Sequence, residues 1–243
     1  MADMIDIATQ DGILCAYVFR PAGEGPWPGV LFYMDGLGIR PALFEIAARL
    51  ADHGYFVLLP DLFYRSGPYA PMDAKQVFSD PAQRQALAEN YLGKLGQANA
   101  MRDTPALLDY LASQPDVAPG PVAAIGYCMG GGLALAAAGH FPGRIRAVGA
   151  YHPGKLATDA ADSVHLLAPR LKAQIYIGRA SEDPSFPDEM KDRLEVAFRD
   201  AGVAYKLETY PARHGWVPTD TPVHDAAAAE RHWATLFALL DAR

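Results

Sequence analysis

Cysteine is scarce in this chain. Cys15 and Cys128 are the only two among 243 residues, too few for a disulfide framework, and no zinc-type Cys/His spacing accompanies them, so no metal is expected. No apolar stretch runs long and unbroken enough to span a bilayer. The opening MADMIDIATQDG lacks the basic segment and apolar run of a secretory signal, so a cytoplasmic location, where thiols stay reduced, is expected. Positive charge is not in excess either. The 21 Lys and Arg against 28 Asp and Glu leave a formal net charge of -7, which argues against nucleic acid or an anionic membrane as partner. There is no internal repeat, low-complexity tract or linker. What remains is 51% hydrophobic and 20% charged, the composition of an ordinary globule, and one domain over residues 1–243 is expected.

Taken in order, residues 4–7 and 13–19 alternate around Asp11-Gly12, which predicts a hairpin at an antiparallel edge. Residues 29–34, 55–59, 122–125, 145–151, 174–177 and 205–210 read as buried strands. Helical spacing covers 41–53, 187–201 and 223–240, and two polar helices are expected within 80–92 and 100–113. Residues 65–73 read as a Gly/Pro loop. Strands alternating with helices predict a mostly parallel central sheet of about eight strands with helices on both faces.

The most informative stretch is Gly126-Tyr127-Cys128-Met129-Gly130, between an apolar run and a helix of small residues. A nucleophile on such a sharp strand-to-helix turn is held above the sheet edge. The flanking glycines let strand and helix pass closely, as in the G-x-nucleophile-x-G elbow of α/β-hydrolases. Cys128 stands where serine is usual, at a helix N-terminus that favours an anion. A buried, inert cysteine beside a packing helix would carry the same residues.

In parallel sheets ligands sit outside the carboxyl ends of the strands. Three strand ends carry candidate chemistry: Cys128, Asp183 and His214. Their order, nucleophile, acid, histidine, is that of the α/β-hydrolases. A thiol attacking a carbonyl needs a base that later returns a proton, and the imidazole needs an acid to orient it. Taken singly, Asp183 could cap a helix and His214 could be an ordinary loop residue. Oxyanion donors are expected from the backbone N–H groups of Met129 and Gly36. His152, also at a strand end, is expected to line the pocket.

The whole chain resembles the dienelactone hydrolase family. The landmarks are Asp35-Gly36-Leu37-Gly38, Pro60-Asp61-Leu62-Phe63, Gly126-Tyr127-Cys128-Met129-Gly130-Gly131, Asp183 and His214-Gly215. The resemblance implies an α/β-hydrolase fold and a Cys-His-Asp hydrolase of a small ester or lactone, without cofactor, acting as monomer or homodimer. It also implies that Asp35, where relatives have glutamate, gates the thiol, and that Arg84 binds a substrate carboxylate. A second arginine of the family's clamp would fall near Trp216-Val217-Pro218. This chain has no arginine there, so half of the clamp is missing; Trp216 is expected to contact substrate. A broad carboxylesterase or thioesterase on the same triad is the alternative, and a redox-sensing or binding protein using Cys128 a more distant one.

Overall fold

The computed structural model describes residues 2–242. Four short runs, β3 (Gly29–Tyr33), β4 (Phe56–Pro60), β5 (Val122–Tyr127) and β6 (Ile145–Tyr151), are buried almost throughout. That is the mark of strands covered on both faces. They form the centre of an eight-stranded sheet of order β1-β2-β4-β3-β5-β6-β7-β8. The hairpin β1 (Asp3–Thr9) and β2 (Gly12–Phe19) makes the antiparallel edge, and β7 (Gln174–Glu182) and β8 (Tyr205–Arg213) complete the parallel part.

Helices cover both faces. On one lie α4 (Gly93–Ser113), α5 (Met129–His140) and α6 (Asp188–Asp200); on the other lie α1 (Pro41–Asp52) and α7 (Ala226–Asp241). Helix α5 is apolar all round because it packs on β3, β5 and β6 at the centre of its layer. Helix α1 buries Leu43, Ile46, Ala47 and Leu50 on one face, begins with Pro41 and stops before Gly54, whose φ of 102° suits only glycine. Asp225 caps α7 by accepting from Ala228 N–H at 2.9 Å. The result is the mostly parallel α/β architecture that the alternation predicts.

The structure departs from that reading in three places. Residues 74–79 form a short helix, α2 (Ala74–Ser79), which Asp73 starts by capping Lys75 and Gln76. A second, α3 (Pro81–Leu87), continues through a π-helical turn at Ala88–Leu92 directly into α4, so no gap separates two polar helices; the helix breaks instead at Gly96, where φ is 56°. Finally, β7 and β8 run well past Ile177 and Tyr210, pairing as far as Glu182 and Arg213. That last difference positions the site. Asp183 and His214 become the first residues beyond two neighbouring paired strands.

Candidate active site

Cys128 sits between β5 and α5 with φ 53° and ψ −121°, a conformation that L side chains rarely adopt. Its neighbours permit it. A Cβ on Gly126 would fall on the Gly130 carbonyl, and one on Gly130 would fall on the Tyr33 and Met34 carbonyls. The turn therefore closes only with glycine at both places. The Cys128 N–H is shared between the Tyr151 carbonyl at 3.0 Å and His152 Nδ1 at 3.1 Å, which leaves the side chain facing the open end of the sheet.

His214 and Asp183 meet there. His214 Nδ1 lies 2.6 Å from Asp183 Oδ2. The other carboxylate oxygen accepts from Ser185 N–H at 2.9 Å and Ser185 Oγ at 2.6 Å, so the acid is held from both sides. Burial alone would discourage a charged imidazole. Hydrogen bonding to Asp183 and contact with the Cys128 side chain outweigh it and push His214 up to about 10. For Asp183, burial works against the charge, but His214 and Ser185 hold the carboxyl below its usual range.

Two cavities open beside the sulfur. One, of about 310 Å³, is lined by Asp35, Gly36, Phe78, Arg84, Cys128, His152 and His214 among others. The other, of about 530 Å³, shares Gly36, Cys128 and His214 and adds Met129. Gly36 and Met129 thus flank the thiol, and among the described residues neither backbone N–H has an intramolecular acceptor.

Other candidates take different places. Asp35 lines the first cavity, but its carboxylate is engaged by Arg40 at 2.6 and 2.9 Å and by Leu37 N–H at 2.9 Å. Both oxygens answer a buried guanidinium, so the charge is neutralised where a gate would need it free. That pairing weighs against Asp35 acting as a thiol gate. Trp216 is fully buried, stacked on Tyr210 with ring centroids 4.9 Å apart and set edge-on against His152. It lies behind the cavity wall, and Gly215, Pro218 and Thr221 face the cavity in its stead; substrate contact by Trp216 is corrected accordingly.

His152 does line the cavity and is buried, and burial followed by the nearby His214 charge holds it well below its ordinary range. It is neutral, with Nδ1 accepting. Arg84 is at the cavity too, its Nη1 donating to the Phe78 carbonyl at 2.6 Å. Residue-by-residue reading missed Arg40, Leu92 and Lys155. Only Arg40 left a trace, as a charged residue directly before the Pro41 helix start. Among the described residues, no three His, Cys, Asp or Glu side chains gather closely enough to hold a metal ion, and no helix is long and apolar enough to cross a membrane.

Comparison with known proteins places the chain in a family. A family model described as the dienelactone hydrolase family matches residues 14–243. A carboxymethylenebutenolidase of Pseudomonas sp. strain P51 is 37% identical over 127 residues, covering 52% of this chain and 50% of that protein. A Methylorubrum extorquens protein, provisionally named carboxymethylenebutenolidase, is 27% identical over 241 residues, 97% of this chain and 79% of its own. Among solved structures, the dienelactone hydrolase-like promiscuous phosphotriesterase P91 from metagenomic libraries superposes with TM-score 0.80 at 26% identity, covering 99% and 97% of the two chains. A Klebsiella pneumoniae protein provisionally described as a dienelactone hydrolase shares the fold, with TM-score 0.87 at 21% identity over 100% and 99%. With nearly the whole length matched, the chain belongs to the dienelactone hydrolase family.

Proposed function

We propose that this protein hydrolyses carboxylic esters or lactones through a thioester on Cys128. The observation that carries the reading is the 2.6 Å Asp183–His214 hydrogen bond beside a cysteine on a strained strand-to-helix turn. The names of the relatives support an ester or lactone as the substrate class.

In this mechanism the Cys128 sulfur, as thiolate, attacks the carbonyl carbon and the C=O electrons move onto oxygen. The Gly36 and Met129 N–H groups stabilise that oxyanion. Its collapse breaks the ester C–O bond, and the His214 imidazolium gives its proton to the departing alcohol. Neutral His214 then takes a proton from water, whose oxygen attacks the thioester. Collapse of the second intermediate releases the acid, and the imidazolium–thiolate pair is restored. Asp183 fixes the tautomer that keeps Nε2 toward the reacting atoms. Substrate specificity within this class is read from a panel of short aryl esters, thioesters, unsaturated lactones and one phosphotriester. Ester or lactone turnover that disappears in Cys128→Ala supports the proposal; wild-type inactivity on every ester and lactone rejects it.

A further inference from the structure

The two cavities beside Cys128 are not equivalent. Leu92, on the π-helical turn, lies at the divide and lines both, as do Gly36, Cys128 and His214. Toward α2 and α3 the smaller cavity is walled by Val77, Phe78 and Leu87, with Arg84 also at its wall and one guanidinium nitrogen held by the Phe78 carbonyl. The larger one, beyond Leu92, carries Gln97, Lys155 and Ser185 beside apolar walls. A carbonyl placed over the sulfur therefore has room for a substantial group on each side. A single small lactone would leave much of that room empty.

Lys155 is the feature that selects among larger substrates. It holds a left-handed conformation, φ 58°, with its N–H donating to the Ser185 carbonyl at 2.8 Å. That backbone geometry places Lys155 at the rim of the larger cavity, where it is exposed. Lys155, like Lys75, Lys94 and Lys172, pairs with no carboxylate among the described residues, whereas Lys191 and Lys206 do; of the unpaired four, Lys155 is the one that lines the larger cavity. The other polar side chains are occupied: the Gln97 amide donates to the Asp162 carbonyl and the Ser185 hydroxyl to Asp183.

The direction of binding follows from the chemistry. The acyl half stays attached through both half-reactions and gains from shielding. The alcohol departs past His214, and the incoming water must reach the same imidazole from the vacated side. The polar, roomier cavity suits that exchange. Building on the hydrolase reading above, we infer that the larger cavity is a leaving-group subsite, and that the enzyme takes esters with an apolar acyl half and an anionic group on the alcohol half, paired with Lys155.

The test uses three aryl esters: neutral 4-nitrophenyl butanoate, 5-butanoyloxy-2-nitrobenzoate with a carboxylate on the alcohol half, and mono-4-nitrophenyl glutarate with a carboxylate on the acyl half. Kinetics are compared in wild type, Lys155→Met and Lys155→Arg. For the nitrobenzoate ester over the neutral one, the kcat/KM ratio should fall about fivefold in Lys155→Met and be kept by Lys155→Arg. The wild-type ratio should shrink with added salt. A ratio that Lys155→Met leaves unmoved, or a fall confined to the glutarate ester, overturns the subsite. Wild type that hydrolyses none of the three but opens an unsaturated lactone also overturns the subsite and leaves the hydrolase reading standing; inactivity on every ester and lactone rejects that underlying reading.

Discussion

Asp35 and Arg40 face each other through two parallel hydrogen bonds, Nη1 to Oδ1 at 2.6 Å and Nη2 to Oδ2 at 2.9 Å, both side chains almost wholly buried. Arg40 also binds Asp220, its Nε lying 2.6 Å from Oδ2. One buried cation is thus shared by two carboxylates, and this ties the loop after β3 to the loop beyond His214. The carboxylate that lines the cavity with Cys128 is thus also part of the link between the two loops.

The first prediction follows from that pair. Leaving a buried charge wholly uncompensated costs about 3 kcal/mol, but Arg40 keeps Asp220 when Asp35 is changed. Asp35→Asn should therefore lower stability by less than that, about 1–2 kcal/mol in urea melts. Alkylation of Cys128 against pH, with Cys15→Ser in both backgrounds, should change little. A faster neutral-pH alkylation without loss of stability would restore the gate.

The second concerns cooperation in the proposed triad. Groups that act as one unit lose activity non-additively. Cys128→Ala, His214→Ala and the double variant should fall to similar residual kcat/KM values on an aryl ester. Asp183→Asn should lower kcat by roughly 10³–10⁴-fold, through the wrong imidazole tautomer. Additive losses in the double variant would mean that the two side chains work apart.

The third is a pH dependence. His214 is raised to about 10 from an ordinary value of about 6.5, so its proton is available to the leaving group well above neutral pH. Turnover should fall as pH rises through about 10, and Asp183→Asn should move that limb to lower pH. The same shift favours folding. That contribution is fully present below about 6.5 and is lost as pH rises through the folded value. A pH–rate profile whose alkaline limb ignores Asp183→Asn would contradict this assignment.

The legible parts of the chain were those whose signal is local. The runs at β3 to β6 are apolar on both faces and bounded by turns, and the glycines at 126 and 130 announce a close strand–helix crossing before any coordinate is seen. The far ends of β7 and β8 were hidden because Arg179, Ser181 and Arg213 break the apolar pattern, although the backbone pairing continues through them. Helix α2 was lost to its Gly/Pro-rich approach, despite the Asp73 cap. Trp216 was misplaced because nearness in sequence to His214 says nothing of direction; its ring turns into the core against Tyr210. Lys155 gave no signal, since only the folded β6 loop carries it to the cavity rim.

Whether Cys128 forms a covalent acyl intermediate is tested most directly by mass spectrometry of rapidly acid-quenched enzyme with 4-nitrophenyl butanoate. The account predicts a mass increase of one butanoyl group, mapped to the peptide containing Cys128, present in Cys15→Ser and absent in Cys128→Ala. Turnover that persists in Cys128→Ala, or an acyl group found only on another residue, would contradict it.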